Sequence, residues 1–268
     1  MQKNFIILLF VTSMSVACGY ASNEKINQKD EVSEITKSYM TFWTYWNKEI
    51  NLCSDFIAKD TSSNTLTKKR FTELLNTGNY IPIASFEADS LRVYQLFHLP
   101  EKVDENINET IKQMAKIELD HLKLEGKKMP QFHFTDINGT LITDSTFNEN
   151  FIVAKTWFIK CGPCEKQLPH LNKIMDKYNT KNVRFISFAD DEKDLLKEYR
   201  DLNELQFLII PKQADYIRNT LGLQLYPSYI LIDPNGIVLK VADNLDVIDD
   251  ELEAHSDKLS FVPPPPAG

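Results

Sequence analysis

The chain is short of positive charge: 30 lysines and arginines stand against 38 aspartates and glutamates, a formal charge of −8 over 268 residues. A protein that grips phosphate backbones needs a basic face. No basic stripe interleaved with aromatics occurs here, so no nucleic-acid partner is expected. Also lacking is an apolar run long enough to cross a bilayer, which takes about 20 residues. Cysteines are few, four in all, with a single C-x-x-C and no histidine pair at ligand spacing. A zinc site built from four protein ligands is therefore not expected, and no other metal or cofactor is called for. There is no internal repeat. With 43% hydrophobic and 25% charged residues, the composition suits an ordinary globular core and excludes wholesale disorder.

What is present begins with "MQKNFIILLFVTSMSVACGY", in which Lys3 precedes the apolar run Phe5 to Val11 and small residues lead to Ala17-Cys18. This is the pattern of an export signal over residues 1–17. "SVAC" resembles a bacterial lipobox, in which the cysteine, here Cys18, is acylated; Ser15 departs from the usual aliphatic residue. The expected location is the bacterial cell envelope, on the periplasmic side, with membrane contact only through a lipid anchor. Disulfides persist in that compartment. Residues 18–32 are polar and lack periodicity, as a tether would.

Residues 33–126 read as a smaller N-terminal region, mainly helical or α+β, of unknown function. "YMTFWTYWNKEI" fits helix or strand equally, "TKKRFTELLN" has helical spacing, and "YIPIASF" looks extended. "NINETIKQMAKIELDHLKLEG" predicts a helix with Ile107, Ile111, Met114, Ile117 or Leu119, and Leu122 on its apolar face. Nothing in this region assembles a recognisable catalytic set. His98 and His121 stand alone in sequence, as structural or solvated histidines do, and Cys53 reads as a small buried hydrophobe.

From residue 127 to 260 the pattern becomes alternating strand and helix. "FHFTDINGTLI" predicts a hairpin turning at Asn138-Gly139, and "FIVAKTWF" a strand buried on both faces. "CEKQLPHLNKIMDKY" then gives an amphipathic helix, followed by strand "NVRFISFA", helix "DEKDLLKEYRDL" and strand "FLII". "DYIRNTLG" is expected to be helical, "YPSYILIDPNGIVLKVAD" a hairpin and "DDELEAHSDKL" a closing helix, with residues 261–268 as a proline-rich solvated tail.

Between the buried strand and the amphipathic helix lies Cys161-Gly-Pro-Cys164. A helix start offers free N–H groups and the positive end of the dipole, which stabilise a thiolate on the first cysteine. Such a thiolate attacks a partner disulfide, and the second cysteine, one turn in, displaces the partner. A purely structural bridge would close too small a loop to stabilise much. The spacing and context together point to a redox dithiol.

"WFIKCGPC", residues 157–164, resembles the thioredoxin active-site motif. Pro169 matches that family's proline within the helix, and "LYPSYILIDPNGIV" resembles its cis-proline segment. The export signal, "MPQFHFTDINGTLI" before the motif and "CEKQLPHLNKI" after it are closer to the TlpA/ResA branch, whose members include lipid-anchored proteins of Bacteroidetes-type bacteria. The resemblance spans residues 129–259 and implies an α/β thioredoxin-like fold, a central mixed sheet flanked by helices with an N-terminal β-hairpin extension. It implies a protein-disulfide reductase with Cys161 as nucleophile, Cys164 as resolving thiol and their redox-active disulfide in place of a cofactor. It further implies a substrate groove shaped by Pro227, Tyr226 and Trp157. Expected partners are disulfide-containing exported proteins and a membrane electron donor. The Gly-Pro dipeptide is similar to that of the reducing members, near the thioredoxin potential of about −270 mV.

Three positions depart from the family and are read as modulators of thiol pKa. Lys160 replaces the usual tryptophan before the first cysteine, and Lys155 stands where thioredoxin buries a carboxylate. Gln167 stands where the TlpA/ResA branch places a glutamate. Glutamine cannot accept a proton, so resolution by Cys164 is expected to rely on water or a lysine. Glu165 is expected to be a solvated first-turn charge. A thiol peroxidase of the redoxin type, or a binding module with an incidental dithiol, are the alternative functions. Peroxidases usually carry Pro-x-x-x-Thr-x-x-Cys, which "KTWFIK" before Cys161 does not match.

Overall fold

The computed structural model describes residues 28–86, 92–143, 145 and 148–262. The stretch read as an export signal, Cys18, and most of the stretches read as a tether and a proline-rich tail lie outside them.

The aromatic stretch that sequence left open is a helix. α1 (Gln28–Thr36) and α2 (Tyr39–Glu49) open the chain, with the Ser38 hydroxyl capping α2 by accepting from Thr41 N–H. α1 begins inside the stretch read as a tether because Val32 and Ile35 have a core to reach, Val32 being buried with Phe42 and Trp46. There follow β1 (Ile57–Lys59), β2 (Thr65–Leu66), α3 (Lys68–Leu75), β3 (Tyr80–Phe86), β4 (Arg92–His98) and α4 (Glu105–Leu124). The strands form one mixed sheet in the order β2-β1-β4-β3. This unit is therefore α+β. β3 is an edge strand, which tolerates Pro82.

The buried face of α4 differs from the one expected. Ile107 and Ile111 point inward, but further along Ala115, Glu118, His121 and Leu124 are buried while Met114, Ile117 and Leu122 are only half-buried. Two polar residues have entered the core stripe because they meet polar partners there, described below.

The remaining elements are the hairpin β5 (His133–Thr135) and β6 (Leu141–Thr143), then β7 (Phe151–Trp157), α5 (Gly162–Tyr178), β8 (Val183–Ala189), α6 (Lys193–Asn203) and β9 (Leu208–Ile210). β10 (Ser228–Ile232), β11 (Val238–Ala242) and α7 (Leu245–Ala254) complete the chain. The hairpin turns where Gly139 takes φ +96°, and the Asp136 carboxylate accepts from the N–H groups of Asn138 and Thr140. The segment expected as an α-helix before the second hairpin is instead a single π turn, Tyr216–Thr220. Phe261 and Val262, read as solvated tail, pair with Lys181 and Thr180.

The central sheet runs β11-β10-β7-β8-β9, with β7, β8 and β9 parallel and β10 and β11 antiparallel. This is the thioredoxin-like arrangement, with β5–β6 as the N-terminal extension. All seven residues of β7 are buried, as a central strand covered on both faces requires. Alternate residues serve opposite cores. Phe151, Val153 and Trp157 face the cluster containing Leu171 and Ile174 of α5, whereas Ile152 and Ala154 face Phe132, Ile142 and Ile217. Lys155 shares the first parity, so its side chain goes to the α5 side.

Candidate active site

β7 ends at Trp157 and the chain turns through Phe158–Lys160 into α5. Ile159 N–H is held by the Asp191 carboxylate at 2.7 Å, which fixes the loop to the end of β8. Lys160 adopts φ +67°, a left-handed conformation rare outside glycine, and is exposed. Cys161 is the N-cap of α5, its Sγ accepting from Cys164 N–H at 3.3 Å. A sulfur in that position receives backbone donors and the dipole field together, which favours negative charge on it. Cys161 and Cys164 are joined as a disulfide, and both are buried, at 3% and 2% exposure. Pro169 lies inside α5.

Tyr226–Pro227 is a cis peptide bond. Ser228 pairs with Thr156 across β10 and β7, which sets Pro227 level with Trp157, four residues before Cys161. Tyr226 OH donates to the Asp190 carboxylate, 3.1 Å from each oxygen, and Arg218 pairs with the same group at 2.7 Å. Burial pushes the Tyr226 phenol up to about 12, with the Asp190 charge adding to it. Asp190, Asp191 and Arg218 thus position the loops flanking the dithiol. None was singled out in the sequence, where they read as ordinary surface charges.

One assignment needs correction. Trp157 does not wall a surface groove: it is 3% exposed and packs internally against Tyr199 and Phe207. As the last residue of a strand covered on both faces, it has no outward side. The aromatic at the surface is its neighbour Phe158, 38% exposed and edge-on to Tyr226 at 5.5 Å.

Lys155 is 3% exposed, and its ammonium lies 5.7 Å from the ring centres of both Trp157 and Phe207. Among the described residues no carboxylate pairs with it. Desolvation lowers its pKa to about 8. It lines a cavity of about 10 Å³ together with Cys164, Trp157, Glu165 and Tyr199. Glu165 is exposed, as expected, but at the mouth of this cavity, where its carboxylate accepts from Tyr199 OH at 3.2 Å.

Gln167 looks the other way. Its amide donates to the Asp243 backbone carbonyl at 3.3 Å, while its own Oε1 is buried without a partner. It borders a separate cavity of about 730 Å³ between the N-terminal unit and the thioredoxin-like unit, which Cys53, Glu118 and Asp243 also line. Cys53 is buried as expected, yet not as a mere hydrophobe: its Sγ lies 3.5 Å from Asp243 Oδ1 and 3.7 Å from His121 Nδ1. His121 is likewise not isolated. Glu118 and His121, at helical i,i+3 spacing, were the missed signal in "ELDH".

Residues 124–253 match the Redoxin family. The thiol-disulfide oxidoreductase ResA of Bacillus thuringiensis subsp. konkukian is 32% identical over 116 residues, covering 43% of this chain and 67% of that protein. ResA of Geobacillus kaustophilus is 24% identical over 135 residues, covering 50% and 77%. The thioredoxin domain of a thiol-disulfide oxidoreductase from Bacteroides vulgatus aligns at TM-score 0.44 and 19% identity, over 48% of this chain and 96% of that one. The strand order, the match to the Redoxin family and the identity to ResA agree: this chain belongs to the TlpA/ResA-like thiol-disulfide oxidoreductases of thioredoxin fold.

Proposed function

We propose that the protein is an exported disulfide reductase working through Cys161 and Cys164. The observation that carries this is the placement of Cys161 as the N-cap of α5, its Sγ on Cys164 N–H, at the end of a fully buried strand. In the reduced state the Cys161 thiolate attacks a disulfide of the partner, forming one S–S bond and releasing one partner thiol. Cys164 then loses its proton and attacks Cys161 Sγ, closing the intramolecular disulfide and releasing the second partner thiol. Two electrons pass to the partner, and an envelope electron donor restores the dithiol.

Lys155 is the proton acceptor for Cys164. It shares a cavity with that residue, has no carboxylate partner among the described residues and titrates near 8. About one tenth is therefore neutral at pH 7, enough to accept a proton transiently. Exposed Phe158 and half-buried Tyr226 provide the apolar surface against which an extended partner segment lies, beside buried Pro227. The partners are exported proteins with disulfides. Among the described residues no helix is long and apolar enough to cross a membrane, and attachment is assigned to acylated Cys18.

Insulin reduction followed by turbidity tests the activity. Wild type should be active and Cys161→Ser inactive; equal rates would leave the dithiol incidental. A potential near −270 mV supports the reducing direction, and one above about −150 mV reverses it. The match to the Redoxin family keeps peroxidase chemistry in view. However, the hydroxyl of Thr156, the threonine nearest in sequence before Cys161, is taken up by the Ser228 backbone. Peroxide turnover well above that of the free thiol would favour the peroxidase.

A further inference from the structure

We propose that Cys53, Glu118 and His121 form a binding site for a borderline divalent cation of the zinc class, tying the Cys53 segment to α4. The site is separate from the dithiol and does not depend on the function proposed for it. The three ligand atoms lie within 4.8 Å of one another, and all three residues are buried, at 6%, 1% and 1% exposure.

Both edges that meet at His121 match a tetrahedral centre, and the Cys53–Glu118 edge lies within 4.8 Å. Zinc bonds of about 2.3 Å to sulfur and about 2.0–2.1 Å to nitrogen or oxygen give a sulfur–nitrogen edge of about 3.6 Å and a nitrogen–oxygen edge of about 3.3 Å. Cys53 Sγ is 3.7 Å from His121 Nδ1, and Glu118 Oε2 is 3.3 Å from the same nitrogen. One ring nitrogen carries either a proton or a lone pair. Without a metal the ring nitrogen donates to Glu118 and the Cys53 thiol to Asp243; a cation at the centre replaces both protons and takes all three ligands at once.

The surroundings fit a metal as well. Lys68 Nζ holds Glu118 Oε1 at 2.7 Å, leaving Oε2 turned to the histidine, as outer-shell groups orient a ligand. Lys68 is itself anchored on the carbonyls of Cys53 and Ser54, at 3.1 and 3.3 Å. Asp243 Oδ1 is 3.5 Å from Cys53 Sγ but outside the mutual 4.8 Å of the three ligands, so the fourth position faces the cavity and falls to water. A sulfur–nitrogen–oxygen donor set suits zinc or cobalt and not magnesium or calcium, which take oxygen ligands.

The test uses the full chain carrying Cys18→Ser, with the Cys161–Cys164 disulfide closed, so that Cys53 is the sole thiol. After chelator treatment, Co²⁺ should bind at one equivalent, with a near-ultraviolet sulfur-to-cobalt charge-transfer band and tetrahedral visible bands. Zn²⁺ should displace it and raise the melting temperature. Losing even an outer-shell partner costs metal sites about 10–100-fold in affinity, so His121→Gln should weaken binding by at least that much. Cys53→Ser should abolish the charge-transfer band. No such band in the parent protein overturns the proposal without recourse to any variant that fails to fold; so does a band that survives Cys53→Ser.

Discussion

Lys155→Met removes a buried ammonium and keeps a flexible side chain of similar length. In the folded chain Lys155 titrates near 8, against an ordinary value of 10.5, because burial strips its charged form of water. The fold therefore binds that proton less tightly than the unfolded chain by about 3 kcal/mol, at 1.36 kcal/mol per pH unit. The sign follows from proton counts. Between about 8 and 10.5 the unfolded chain holds the proton and the fold does not, so this group adds stability as pH rises through that window. Below 8 both states are charged and the full cost of burial is present. Lys155→Met should thus be more stable than wild type by about 3 kcal/mol at pH 7, and the gap should close above pH 10.5. The ring faces of Trp157 and Phe207 stand apart from that desolvation cost, offset about 0.5–2 kcal/mol of it and narrow the expected gain by that amount. Urea unfolding of the oxidised proteins at several pH values measures it. The same variant should release mixed disulfides more slowly, trading stability for function. A variant no more stable at pH 7, or a gap independent of pH, would refute the desolvated-lysine argument.

Gln167→Glu replaces the donor to the Asp243 carbonyl with a carboxylate facing it. It should cost about 1–3 kcal/mol at pH 7 and less at pH 4, where the protonated acid donates again. Equal losses at both pH values would show that the amide bond contributes nothing. Lys160→Ala should raise the Cys161 pKa in reduced protein by less than one unit, since an exposed charge of this kind contributes roughly 0.3–1 kcal/mol. Alkylation rates against pH report it, and identical curves would remove Lys160 from the electrostatics.

How much of this was legible in the sequence depended on whether the signal was local. C-x-x-C opening a helix after a continuous apolar strand, the Asn138-Gly139 turn and the proline before β10 are each written within a few residues. Burial on both faces of β7 was legible too, but its consequence for Trp157 was not drawn: a strand with no outward side hides every residue it carries, Lys155 included. Other features depend on contacts across the chain. Nothing near His121 announces Cys53, 68 residues earlier, or Asp243, 122 residues later. Asp190 and Arg218 look like surface charges until β8 and the π turn bring them to Tyr226. The start of α1 was missed because a polar stretch becomes helical once Val32 finds an apolar seat.

Intact-mass analysis of Cys164→Ser after exposure to a disulfide-bonded peptide tests the central claim most directly. A reducible adduct of one peptide thiol, mapped to Cys161, is expected, and no such adduct in Cys161→Ser. An adduct carried equally by Cys164 when Cys161 is serine, or none in either variant, would contradict it.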